Sequence, residues 1–481
     1  MKILQVSMAD RLGGAERVAW NLFDAYRRDG HQSWLAVGRR YLGDPDVFEI
    51  RNDAAASGVR RAAWRSYHAV QPYYRTSGLA KRVARLSHRI AVPEGVRDRA
   101  RGIEDFNFPG SVRLLNLPPE RPDIIHLHNL HGGYFDLREL PRLCAAGPAI
   151  ITLHDAWLMA GHCAHSLGCE RWRTGCGECP DLSIYPAIRR DATAENWARK
   201  REILSRCRLH VAAPSQWLLD CARQSMLAPA MIEGRVIPNG VDQSIFRPVS
   251  KSEARRQLGL PLDALIITAT AADVANSFKD FPTLLAAAAR LSPDSHLPPV
   301  RIIALGRAAR DEVAGSTPVH YMPPTDDQQR LAACYAAADV YVHAARADTF
   351  PNSVIEALSC GTPVIATNVG GIPEQIRAWP DHAATGVLTA PGDASDLAAA
   401  ITRLLADEPL RRTMSHRAAI NARERFGLDP ELDSAETNSA ANKRIQILTL
   451  RHDASRIFWF LEVAPKQPRR DDGCQNGNFR A

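Results

Sequence analysis

Apolar residues gather along this chain in short runs separated by polar turns, and the period inside each run names the element it forms. Lys2 to Ser7 is a short apolar strand that ends in a polar, glycine-containing turn, Arg11-Leu12-Gly13-Gly14. Behind it Val18, Leu22, Phe23 and Tyr26 fall on one stripe at helical spacing, which predicts a helix packed on that strand. Trp34 to Val37, Ile124 to His128 and Ile150 to Leu153 read as further strands. Strand and helix alternating through long connections predict a parallel sheet covered on both faces.

The pattern restarts after Ile237-Pro238-Asn239-Gly240. Leu265 to Ile267, Ile302 to Leu305, Val340 to Val342 and Pro363 to Ala366 read as strands, with helices over Phe281 to Leu291 and Asn352 to Ser359. The simplest organisation is two consecutive α/β halves joined near residues 235–245. Two stretches depart from it. Residues 45–115 interrupt the first half with Arg-rich helical sequence carrying Trp64, Tyr67, Tyr73 and Tyr74, and from 428 onward the patterning fades into a tail expected to be disordered.

Composition narrows the class. With 481 residues, 45% hydrophobic and 23% charged, the chain can bury large cores, and a collagen-like or small disulfide-scaffold protein is excluded. No apolar run approaches the roughly 20 residues of a membrane helix, and the start leaves no signal-peptide core, so a cytoplasmic protein with reduced thiols is expected. Net charge is +7, but its distribution matters more: between Arg51 and Arg101 stand twelve basic residues against Asp53, Glu94 and Asp98. A solvated helical surface is the default reading of that stretch. A contact with anionic membrane lipid is the functional one, and nucleic acid is not expected because no binding motif accompanies the charge.

Chemistry concentrates in a few places. Gly13 and Gly14 lie between strand and helix, where backbone amides and the helix start can approach an anion, although an ordinary turn has the same spacing. They do not form the G-x-G-x-x-G dinucleotide fingerprint. Asp348-Thr-Phe350-Pro351-Asn352-Ser353-Val-Ile-Glu356 puts one carboxylate before a helix and another inside its second turn, with free amides around Asn352 and Ser353. Cys163, Cys169, Cys176 and Cys179 lie within seventeen residues and end in a Cys-x2-Cys pair, a set that can hold a structural zinc or remain free thiols. Asp44-Pro-Asp46 has the form of a metal-binding D-x-D but sits in an irregular turn.

The Asp348–Glu356 string, continued through Gly370-Gly371-Ile-Pro-Glu374, resembles the donor-site signature of retaining GT-B glycosyltransferases of the group-4 family, which includes bacterial polysaccharide-assembly enzymes. Val236-Ile-Pro-Asn-Gly-Val-Asp242, with Phe246 and Pro248, is similar to the segment opening that family's second domain. The resemblance implies a GT-B fold: two Rossmann-like domains facing across a cleft, 1–235 on the acceptor side (with the 45–115 insertion and the 163–179 cysteine loop) and 236–427 for the nucleotide-sugar, followed by a divergent tail, 428–481. It implies that the first acid, here Asp348 in place of Glu, contacts the donor sugar, and that Glu356 contacts the ribose. Gly13 and Gly14, Lys279 and the helix start from Phe350 would meet the diphosphate, and His154 would face the sugar from the opposite domain. Phe278 replaces a usual basic residue and Asp280 a usual glycine, and Arg307 is the candidate second cation.

The activity so implied is transfer of a sugar, with retention, from a UDP- or GDP-linked donor to a hydroxyl of a lipid-linked oligosaccharide in surface polysaccharide biosynthesis. No cofactor is required for catalysis in that reading, and the enzyme works in the cytoplasm, peripheral to the plasma membrane. A nonhydrolysing sugar-nucleotide epimerase and an inactive binding protein are the alternatives.

Overall fold

In the computed structural model, residues 1–428 are described apart from 12, 75, 274, 275, 292–296 and 308–310, and the side chains of 271–273 and 307 also lie outside the description. The first half carries strands β1 (Lys2–Ala9), β2 (Gln32–Arg39), β3 (Val47–Glu49), β4 (Ile124–His128), β5 (Ala149–Thr152), β6 (Leu209–Ala213) and β7 (Met231–Val236). They form one parallel sheet in the order β3-β2-β1-β4-β5-β6-β7. The second half carries β8 (Leu265–Asp273), β9 (Val300–Arg307), β10 (Glu312–Ala314), β11 (Thr317–Met322), β12 (Val340–His343), β13 (Val364–Thr367) and β14 (Gly386–Thr389). Their order is β10-β11-β9-β8-β12-β13-β14, parallel except for the antiparallel β10–β11 pair.

The strands form where both faces can be apolar. β1, β4 and β12 are buried along nearly their whole length, as central strands of a doubly covered sheet must be. Helix α1 (Gly14–Arg28) buries Ala19, Phe23 and Tyr26, an i, i+4, i+7 face; of the expected stripe Phe23 and Tyr26 lie on it, while Val18 and Leu22 are half-buried beside it. The sheets keep separate cores, one around Leu4, Val6, Ile125 and Leu127, the other around Ile267, Ile302, Val342 and Ile365. Both belong to one compact unit.

The Arg-rich insertion folds as α2 (Gly58–Val70), α3 (Gly78–Ala91) and α4 (Pro93–Arg101). Trp64 is its anchor: only 1% exposed, it meets Tyr67, His88 and Phe108 and so cannot serve as a surface aromatic. The outer side of α3 is different. Leu79, Leu86 and Ile90 are 70%, 59% and 47% exposed, with Arg82, Arg85 and Arg89 exposed among them.

Helix Glu408–Phe426 closes the described chain, and its end returns to the segment that opens the second half: Val241 N–H donates to the Phe426 carbonyl at 2.7 Å and Leu428 N–H to Val241 at 3.1 Å. The expected tail, 428–481, lies outside the described residues after Leu428. No described helix is long and apolar enough to cross a membrane.

Candidate active site

The loop after β12 and the helix Asn352–Ser359 bring the two predicted carboxylates into view of both sheets. Asp348 Oδ2 lies 2.5 Å from Lys279 Nζ and 3.2 Å from His343 Nε2. Burial disfavours its charged form, yet Lys279 and His343 overcome that and hold the carboxyl far below the usual carboxylate range. Asp348 is therefore ionised at neutral pH. Burial and the Lys279 charge push His343 down, which keeps that ring neutral.

One turn into the helix, Glu356 is 5% exposed. Its Oε1 takes Arg17 Nη1 at 2.5 Å and its Oε2 takes the Tyr335 hydroxyl at 3.0 Å. Burial pushes this carboxyl up, against Arg17 and Tyr335, so the two acids stand in opposite electrostatic settings. Sequence spacing found both carboxylates. It missed Arg17, Tyr335 and His343, which are ordinary residues of other elements until the chain folds.

Lys279 closes a single turn, Ser277–Lys279, in which Asn276 Oδ1 accepts the Phe278 N–H at 3.0 Å. Asp280 follows at φ 42°, in the left-handed region that favours glycine. An aspartate can hold that conformation by local bonding: its Oδ2 accepts from Thr283 Oγ1 at 2.8 Å and from Arg346 Nε at 3.0 Å. Asp280 thus keeps the backbone path of the expected glycine. Phe278, in place of a basic residue, sets its ring edge-on to His165 of the cysteine loop, centroids 4.8 Å apart. Arg307, the expected second cation, has its side chain outside the described residues.

The opposing wall comes from the first sheet. His154 follows β5, and its Nε2 shares a hydrogen bond with His128 Nδ1 at 3.0 Å. His128 stacks in turn on His126, ring centroids 4.5 Å apart. Burial lowers all three rings, His154 to about 4 and His126 to about 3, so the stack is neutral at pH 7. Beside it, His131 Nε2 meets Asp155 Oδ2 at 2.7 Å; burial opposes the Asp155 charge, and His131 brings that carboxyl down to about 2.

Several contacts join the walls. The Thr349 hydroxyl donates to the His154 carbonyl at 2.7 Å, and Ser215 Oγ donates to the Thr349 carbonyl at 3.2 Å. Glu374 accepts the Gln216 and Trp217 amides at 2.7 and 2.8 Å, capping helix Gln216–Arg223 from the other half. A side chain on Gly370 or Gly371 would strike the carbonyls of Asp348 and Thr349, which explains glycine at both positions. Asn352 Oδ1 accepts from Asn239 Nδ2 at 2.8 Å, and a Cβ on Gly14 would lie 3.5 Å from Asn352 Nδ2. Gly14 therefore faces the helix start. A side chain on Gly13 would collide with the Glu16 carboxylate, which folds back over that turn. Phe350 is buried against Phe426, Pro351 precedes the first helical residue, and Ser353 is half-buried.

The cysteine loop, 163–179, follows His154 along the chain. Cys163, Cys169, Cys176 and Cys179 share one region, but no group of three or more His, Cys, Asp or Glu side chains is arranged to hold a metal among the described residues. Burial pushes the Cys163 thiol up to about 12, and Gly161 N–H is directed at Cys176 Sγ at 3.3 Å. Other contacts hold the loop: Asp191 accepts the Cys179 amide at 2.7 Å, and Thr193 Oγ1 accepts the Gly177 amide at 2.9 Å. Asp44 and Asp46 are likewise structural, clamped by Arg27 at 2.8 and 3.0 Å.

Comparison with known proteins agrees with this layout. The model for Glycosyltransferase Family 4 matches residues 12–244, and that for Glycosyl transferases group 1 matches 250–422. The putative colanic acid biosynthesis glycosyl transferase WcaC of Escherichia coli is 29% identical over 269 residues, 53% of this chain; the match spans only 62% of that relative. Among solved structures, sucrose-phosphate synthase of Thermosynechococcus elongatus superposes with a TM-score of 0.57 at 18% identity, over 96% of this chain and 99% of that one. Anabaena HepE, in complex with UDP-glucose, has a TM-score of 0.53 at 17% identity, over 95% and 100%. With each half matched in order and two Rossmann-like sheets facing one site, the chain belongs to the group-4 GT-B glycosyltransferases.

Proposed function

We propose that this chain transfers a glycosyl group, with retention of anomeric configuration, from a UDP- or GDP-linked sugar to a hydroxyl of a lipid-linked oligosaccharide in surface polysaccharide synthesis. The observation that carries the reading is the pair Asp348 and Glu356, two carboxylates on either side of one helix start, each held by a different cation and set opposite a neutral histidine. Asp348, already ionised, accepts hydrogen bonds from sugar hydroxyls. Glu356 suits the ribose. Lys279 and the amides at the Asn352–Ser359 helix start offset charge as the glycosyl–phosphate bond breaks and the diphosphate departs. His154 offers a neutral ring near the reacting carbon, and the contacts joining the walls exclude the water that competes with the acceptor. The fold neighbour holding UDP-glucose supports the donor class, and the colanic acid relative supports a place in polysaccharide synthesis.

The outer side of α3 supports work at an anionic membrane. From residue 58 to 91 the chain has eight basic residues and no acidic one, and the exposed aliphatics of α3 lie among the arginines.

The test is a panel of UDP- and GDP-sugars, incubated with and without membrane lipid extract. Acceptor-dependent release of UDP or GDP with slow hydrolysis in its absence is expected. Conversion of donor into an epimer, or no reaction and no nucleotide binding across the panel, would overturn the reading.

A further inference from the structure

Lys279 is already neutralised by Asp348, and Phe278 occupies the place of a second cation. The facing wall holds a candidate. Arg17 sits in the first turn of α1, three residues after Gly14, which itself faces Asn352 at the helix start assigned to the diphosphate. Its side chain is 33% exposed and reaches to a carboxylate that is only 6% exposed. Glu356 is its sole ion pair among the described residues. A guanidinium has five N–H donors in a fixed fork, and most of this fork is uncommitted.

Resting on the donor reading above, we infer that Arg17 is a second diphosphate-binding residue, held by Glu356 in the ligand-free chain and released when ribose hydroxyls take over that carboxylate. The exchange balances in charge. Neutral hydroxyls replace a cation at Glu356, while the cation moves to an anion that arrives with the same molecule. No covalent step is involved. Binding of nucleoside and binding of diphosphate are thereby coupled through one side chain, because the ribose must compete with Arg17 and the diphosphate rewards its departure.

The test compares nucleoside with nucleoside diphosphate on the full chain by calorimetry, using uridine and UDP or guanosine and GDP, whichever base the unaltered protein takes. Arg17→Gln is expected to weaken the diphosphate by about tenfold or more, the loss of a charge-assisted contact, while the nucleoside binds as well as before or more tightly. Arg17→Lys, which keeps the charge, is expected to retain most of the diphosphate affinity. Equal weakening of nucleoside and diphosphate by Arg17→Gln would show a purely structural role and overturn the inference, as would unchanged diphosphate affinity. Absence of any nucleotide binding by the unaltered protein would overturn the donor reading and this inference together.

Discussion

A buried carboxylate beside a lysine is costly to leave half-made. Asp348 gains its charge against burial because Lys279 and His343 stand at 2.5 and 3.2 Å. Lys279→Ala is expected to lower turnover by at least about 100-fold, since it removes the ammonium offered to the leaving group and strands Asp348, and to cost roughly 3 kcal/mol of stability from the unpaired charge. Unchanged donor kinetics in that variant would remove Lys279 from the site. Asp348, Glu356 and Lys279 were legible because their motif is local: an acid, a turn and a helix within nine residues, with a lysine at a strand end. Arg17 was not legible, for its partner lies 339 positions away and nothing in a helix-surface arginine announces a buried glutamate. Asp280 could be read only as a departure from the expected glycine; the fold shows how Thr283 and Arg346 support its left-handed backbone.

Among the elements, β3 and β10 are only three residues long and leave too little pattern to detect. β7 was hidden for a different reason. As an edge strand it is half-exposed, with Glu233 and Arg235 paired at 2.7 Å. In the insertion, composition alone pointed to a basic surface with aromatic anchors, but tertiary packing draws Trp64 inward and leaves Leu79, Leu86 and Ile90 outside. The proposed membrane contact therefore falls on the outer side of α3. The protein is expected to co-sediment with vesicles containing phosphatidylglycerol and not with neutral phosphatidylcholine vesicles, and Leu86→Glu with Ile90→Glu is expected to reduce that binding several-fold, because each places a carboxylate where apolar contact and anionic attraction should act. Binding that is indifferent to anionic lipid would count against the proposal.

For the whole molecule, the histidine stack under the site ties stability to pH. His126 titrates near 3 and His154 near 4 in the fold, with His128 also well below its ordinary 6.5. In the unfolded chain all three take up protons as pH falls through about 6.5, while the folded chain does not until near 4. Stability is then complete above about pH 6.5 and declines toward pH 4, by on the order of 1 kcal/mol per histidine per pH unit. Urea midpoints measured from pH 7.5 to 4.5 should fall across that window. A flat midpoint would refute the neutral stack.

By itself the sequence determined that two parallel α/β halves follow one another and that one short string sets two carboxylates about a helix start, because periodicity and a helix-start motif are properties of neighbours in the chain. Only the tertiary structure decided which cation holds which carboxylate and which side of the insertion faces outward. Those outcomes depend on burial and on contacts between residues hundreds of positions apart, which exist only once both sheets have formed and met.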